Sequence, residues 1–220
     1  MTKKKLAERK RRAALINKEL KKLFPDAKLA LHYKNNLQLL VAVILSAQAT
    51  DKKINEITEK LFKKYRTVND YADANPKEFE KDIRQSGFYR NKAKSIIGAA
   101  KMMREKYGGK VPKTMEEILT LPGVARKTAN IVLANAYGVV EGIAVDTHVG
   151  RLAQKLDLTD HKDPVKIEKD LMEIMPKKEW KDFNHRIVTY GRRICARRKH
   201  KNCAEHPLTK IYPKAANIWP

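Results

Sequence analysis

The chain has 220 residues, 42% of them apolar, which suffices for one large domain or two small ones sharing a core; no apolar run approaches the roughly 20 residues of a membrane span. Lysine and arginine number 48 against 25 aspartates and glutamates, a net charge of +23. That surplus favours a polyanion such as nucleic acid over an anionic membrane, since neither a lipidation signal nor a separate amphipathic helix accompanies it. The basic start, MTKKKLAERKRRAAL, lacks the apolar core and small-residue cleavage site of a secretory signal, and the two cysteines, Cys195 and Cys203, fit a reducing cytoplasm.

Helical periodicity dominates. Residues 6–23 carry leucine and alanine at helical spacing, and Pro25 ends the segment. Residues 37–45 (LQLLVAVIL) read equally as a buried strand or a buried helix. Asp51 is placed to cap a helix over 54–65. Shorter helices are predicted over 71–74, 76–86 and 91–107, the last stopped by Gly108 and Gly109. Thr114 caps 115–119, Pro122-Gly123 turns the chain, and 127–137 is helical again. Gly138 and Gly142 bracket a connection, Asp146 or Thr147 caps a helix to 156, and 164–175 and 180–194 follow. From Cys195 onward the tail reads as basic and irregular. No segment alternates as a strand and no repeat is evident, so the fold class is all-α.

The stretch Leu119-Thr120-Leu121-Pro122-Gly123-Val124-Ala125-Arg126-Lys127 reads as helix, tight turn, helix. Pro122 fixes φ and Gly123 permits φ above zero. The start of the second helix then offers backbone N–H groups and the positive end of the dipole to a phosphate, a contact that carries no base information. Arg126, Lys127 and Thr128 stand at that start.

LPGVARKTANIVL followed by AVDTHVGRL resembles the endonuclease III family of DNA glycosylases, in the helix–hairpin–helix superfamily. LLVAVILSAQATDKKIN and SGFYRNKAKSI match the same family in the expected order, so the resemblance runs from about residue 37 to 193. Ala125 departs from it, standing where the usual motif has a second glycine; were φ positive there, alanine would cost roughly 1 kcal/mol.

The resemblance implies two helical domains with a DNA-binding cleft between them. One spans 29–139 and carries the hairpin, and the other joins 1–28 to 140–220. Lys127 matches the lysine nucleophile and Asp146 the essential aspartate, facing each other across the cleft. A lysine amine can attack the sugar C1′, stay attached as a Schiff base, and let the 3′-phosphate leave by β-elimination. That chemistry needs a deprotonated amine, which burial near Ile131 and Val132 or the charge of Arg126 would favour. Asp146 can take a proton or stabilise the oxocarbenium-like sugar. The implied activity is that of a glycosylase with AP lyase activity acting on oxidised pyrimidines. Its partner is double-stranded DNA with a damaged or abasic nucleotide, and it works as a cytoplasmic, nucleoid-associated monomer. Three rivals remain: a non-catalytic helix–hairpin–helix module, a lyase specialised for abasic sites, and an enzyme specialised for mismatched thymine.

The target nucleotide must leave the stack before C1′ can be reached. Gln48 resembles the family's gap-filling amide, and Phe88 sits where the family places an apolar wedge. Asn91 and Lys92, at the next helix start, are expected to touch phosphate. His148 is read as a structural hydrogen-bonding residue and Thr147 as a cap.

Most of the family ends in a four-cysteine iron–sulfur loop. Here Cys195 and Cys203 match the first two positions, with one extra residue between them, and His206 and about Tyr212 stand at the others. Two thiolates do not hold four irons, so the expectation is no cluster and no cofactor, with the loop held by packing and its lysines and arginines gripping phosphate. Ile218 and Trp219 are placed to cover surface that the cluster loop covers elsewhere. A zinc site of Cys195, His200, Cys203 and His206 ranks second.

Overall fold

The computed structural model describes residues 2–196 and 203–218, and every regular element among them is helical. In chain order these are α1 (Lys3–Leu23), α2 (Asn36–Leu45), α3 (Asp51–Lys64), α4 (Val68–Ala72), α5 (Pro76–Asp82) and α6 (Tyr89–Lys106). Then come α7 (Met115–Ile118), α8 (Arg126–Ala136), α9 (Thr147–Lys155), α10 (Pro164–Ile174), α11 (Trp180–Arg193) and α12 (Pro207–Ile211), with short 3₁₀ turns between. No helix among the described residues is long and apolar enough to cross a membrane. The chain divides into two compact units, Ala30–Glu141 and Met1–Leu29 with Gly142–Pro220.

In the unit Ala30–Glu141 the apolar run settles as helix α2. Asn35 caps it, its Oδ1 accepting from the Gln38 N–H at 2.9 Å, and Leu39 to Leu45 are all buried. A helix apolar all round needs neighbours on every side, and α3, α6 and α8 supply them. Helix α3 starts at Asp51, three residues before the expected start at 54. Thr50, not Asp51, is the cap, with its side chain accepting from the Lys53 N–H; Asp51 is the first helical residue, where its charge favours the dipole. Tyr65, Tyr71 and Phe79 form a three-ring cluster with centroids 5.1 to 5.9 Å apart, pinning α4 and α5 under the long helix α6.

The other unit is built on α1, which buries Ala13, Ile16 and Leu20. Arg9 is only 1% exposed. Its guanidinium donates to Asp157 O at 3.1 Å, Asp157 Oδ1 at 2.8 Å and Asp160 Oδ1 at 2.7 Å. A buried guanidinium is tolerable only when paired this fully, so the network fixes α1 to the segment after α9. Trp180 starts α11 and donates from Nε1 to Met175 O at 2.8 Å. The tail is more regular than its sequence suggests. His206 and Pro207 start α12, and Leu208 and Ala215 are buried, because apolar positions recur there at helical spacing among the lysines. Ile218 is half-buried, and Trp219 lies outside the described residues.

Candidate nucleic-acid interface

Thr114 opens α7 by accepting from the Glu117 N–H, and the turn after it is closed by the Val124 N–H donating to Leu121 O at 3.1 Å. Gly123 has φ +79°, and a Cβ there would lie 2.5 Å from Ser95 Cβ. Both backbone sign and space therefore demand glycine. Pro122 packs on α6, its Cγ 3.3 Å from where a side chain at Gly98 would start. The hairpin is thus seated on α6 through Gly98 and Ser95. Ala125 is the N-cap of α8 at φ −94°, ψ 170°. This is extended backbone open to any residue, so the second glycine is not needed and the alanine carries no strain. No side chain caps α8, so the N–H groups of its first turn take no side-chain acceptor from the N-cap. Arg126, Lys127 and Thr128 occupy the first turn, each half-buried. One turn beyond Lys127 comes Ile131, half-buried, and the adjoining Val132 is fully buried.

Gln48 and Phe88 share an unusual backbone. They lie at φ +56° and +49°, in the left-handed region that costs a residue with a Cβ on the order of 1 kcal/mol. Both are exposed; Phe88, at 64%, is no core residue. Gln48 follows α2, and Phe88 is the N-cap of α6. Asn91 is exposed on the first turn of α6.

Lys92 corrects the sequence-based expectation. It is 6% exposed and does not face solvent or phosphate. Its ammonium donates to Leu45 O and Ser86 O, each at 2.7 Å, and burial pushes its pKa down. One buried lysine therefore ties the end of α2 to the turn before Phe88. Its signal was present in the sequence: Lys92, Ile96, Ala99 and Met103 follow helical spacing, so Lys92 lies on the apolar stripe of α6.

In the other unit Asp146 is the N-cap of α9. Its Oδ1 accepts from the His148 and Val149 N–H groups, each at 2.8 Å. Thr147 is the first helical residue and not the cap. The preceding segment, Ile143 to Val145, is buried and held by Asn184, whose Nδ2 donates to Ala144 O at 2.7 Å. Sequence reading overlooked Asn184; nothing local marks it. His148 packs on Gly191, where a Cβ would come within 2.9 Å of its Nδ1. Burial first, opposed by Asp146 and aided by Arg192 and Arg151, holds the His148 pKa below its ordinary value.

Residues 41–177 match the HhH-GPD superfamily of base excision DNA repair proteins. Over 211 residues the chain is 49% identical to endonuclease III of Synechocystis sp., covering 96% of both chains. The chain belongs to the endonuclease III family. Two solved structures agree in fold with this family member. One is a trapped endonuclease III–DNA covalent intermediate, the estranged-adenine complex, at 43% identity and a TM-score of 0.87, covering 92% of this chain and 94% of that one. The other is a non-covalent endonuclease III–DNA complex at 42% identity and a TM-score of 0.89, covering 94% and 97%.

The tail gathers three donors. The Sγ atoms of Cys195 and Cys203 and a ring nitrogen of His206 all lie within 4.8 Å of one another. His200 lies outside the described residues. Tyr212 is engaged elsewhere, its ring 4.2 Å under the Arg12 guanidinium. A [4Fe–4S] cluster calls for four thiolates, and this chain holds two cysteines in all. The donor set does not fit that cluster.

Proposed function

We propose that this endonuclease III family member removes oxidised pyrimidines from double-stranded DNA and cuts the strand at the resulting abasic site, with Lys127 as nucleophile and Asp146 as its electrostatic and proton-handling partner. It acts as a monomer on the nucleoid, in the cytoplasm.

The observation that carries this reading is the place of Lys127, in the first turn of an uncapped helix that follows a hairpin. A phosphate held at that helix start brings the sugar of the same strand near the amine. The Lys127 Nζ lone pair attacks C1′ as the C1′–N bond breaks, and the base leaves with those bonding electrons and takes up a proton. Loss of the amine proton and opening of the sugar ring yield the Schiff base. The iminium acidifies the C2′ proton; its removal and departure of the 3′-phosphate cut the strand, and water then releases the lysine. Asp146 caps α9 through Oδ1, which leaves Oδ2 to face the developing positive charge on the sugar or to receive a proton.

Gln48 and Phe88 fill the gap left by the extruded nucleotide. Their exposure and their left-handed backbones support the assignment, because strained residues on protruding turns persist where a surrounding scaffold holds them. Lys92 is that scaffold. Gly123, Ala125, Arg126 and Thr128 seat the phosphate, and Asn91 adds a polar contact at the start of α6.

Borohydride trapping tests the reading directly. Wild-type protein with duplex DNA containing thymine glycol or an abasic site should yield a covalent adduct, and Lys127→Gln should yield none while still binding the duplex. Normal trapping by the variant would remove Lys127 from the chemistry.

A further inference from the structure

We propose that Cys195, Cys203 and His206 bind a single zinc ion, in a site that replaces the family's iron–sulfur cluster with different chemistry. The inference is independent of the glycosylase assignment. It rests on donor geometry, with two buried side chains donating N–H groups to the sulfurs.

The donors converge by local design. Cys195 follows α11 and is 1% exposed, its N–H bonded to Tyr190 O at 3.0 Å. Cys203 and His206 form one turn closed by the His206 N–H donating to Cys203 O at 3.3 Å. Cys203 Sγ is 3.9 Å from His206 Nδ1. In a tetrahedral zinc site with thiolate and imidazole ligands, neighbouring donors sit about 3.5 to 3.8 Å apart. The thiolate–imidazole edge is already within a few tenths of an ångström of that, and the longest edge has to close by about 1 Å. Thiolate with imidazole is a donor set that zinc accepts and magnesium or calcium does not. Three protein ligands leave one position for water or a further donor.

Two buried side chains donate to the sulfurs. Arg151 donates from Nη1 to Cys195 Sγ at 3.4 Å and from Nη2 to Cys195 O. Lys155 donates from Nζ to Cys203 Sγ at 3.2 Å. Both cations are buried, Lys155 at 2% exposure. The N–H donors orient the sulfurs as partners of metal ligands commonly do. Binding involves no redox step: each cysteine that is protonated beforehand releases its proton as the metal–sulfur bond forms. The ion would close the chain between α11 and α12, holding α12 where it meets α1.

The test uses the full-length protein, purified with reductant, stripped with chelator and titrated with cobalt(II). The expected result is about one cobalt per chain with thiolate-to-cobalt charge transfer and the strong visible bands of tetrahedral coordination, both bleached by added zinc. Cys203→Ser and His206→Gln, checked for helix content by circular dichroism, should each weaken binding at least about tenfold. Borohydride trapping through Lys127 is read in parallel, so failure of either assignment is seen separately. The proposal is overturned by a cobalt spectrum that stays that of the hydrated ion, by variants that bind as wild type does, or by metal analysis giving about four irons per chain. A variant that loses helix content only without zinc would support it.

Discussion

Helices α8 and α9 begin in opposite ways. At α9 a carboxylate closes the helix start, Asp146 Oδ1 taking two N–H groups at 2.8 Å each. At α8 the equivalent position is Ala125, with no side chain to offer. Most other helices follow the α9 pattern: Thr2, Asn35, Thr50, Thr67, Asn75, Thr114 and Asp163 all cap with a side-chain oxygen. The α6 start at Phe88 shares the uncapped pattern of α8, as do α11 and α12. Two of the uncapped starts, α6 and α8, carry the residues assigned to DNA. A side-chain cap is worth about 1 kcal/mol to a helix. Its omission at α8 fits the proposed external phosphate, while the cap at α9 uses one oxygen of Asp146 and leaves the second for the proposed chemistry.

The largest effect should come from separating those two duties at α9. Asp146→Asn keeps a capping oxygen, so stability should change by less than about 1 kcal/mol, yet base removal should fall on the order of 10²-fold or more. Single-turnover kinetics beside chemical denaturation reads both. Wild-type rates in a stable variant would reduce Asp146 to a cap.

The next effect lies at the scaffold of the α6 start. Lys92→Met keeps the apolar stem and removes the donor for Leu45 O and Ser86 O. Orphaning two buried carbonyls should cost about 1 to 3 kcal/mol. Activity on a lesion in duplex DNA should drop more than activity on the same lesion in single-stranded DNA, since the proposed insertion by Gln48 and Phe88 matters only where a duplex must be opened. Equal losses on both substrates would make Lys92 merely structural.

Converting α8 to the α9 pattern should give a smaller, two-signed change. Ala125→Asp installs a cap, raising stability by up to about 1 kcal/mol, while its charge repels the phosphate the helix start is meant to hold. Equilibrium binding to undamaged duplex should weaken severalfold. An unchanged affinity would place the phosphate elsewhere.

The smallest effect concerns pH. Burial, the largest cause in each case, depresses the pKa values of His148 and His185. The folded state then resists their protonation while the unfolded chain accepts it. Stability should be full above the ordinary histidine value of about 6.5 and decline as pH falls through the folded-state values. A second loss should begin as pH falls into the ordinary carboxylate range and continue below it, through the lowered folded-state values. Asp160 is held low by Lys5 first and then Arg9, and Asp157 by Arg9 and Arg12 against its own burial. Thermal midpoints across pH should show both windows, and His185→Gln should shrink the first.

Much of this was legible because it is local. Helix starts obey nearest-neighbour chemistry, so Thr114 and Asp146 were readable as caps; Asp51 was misplaced by one residue because Thr50, just before it, caps equally well. The Pro122-Gly123 turn and the lysine after it were readable for the same reason. The nature of residues 37–45 was not, since a nearly all-apolar run has no period to distinguish strand from helix. Burial on every side by α3, α6 and α8 decided it.

The sequence by itself determined the all-helical class and the family, and singled out Lys127 and Asp146 as the pair proposed for the chemistry, because short-range patterns and motif spacing carry them. Only the tertiary structure decided what a charged side chain is for. Lys92 and Lys127 are both lysines in the first turns of helices, but Lys92 finds Leu45 O, 47 residues away in sequence, and is consumed there. Arg151 and Lys155 reach sulfurs 44 and 48 residues away. A cation's role depends on which acceptors lie within about 3 Å of it, and those acceptors come from elements that only packing brings together.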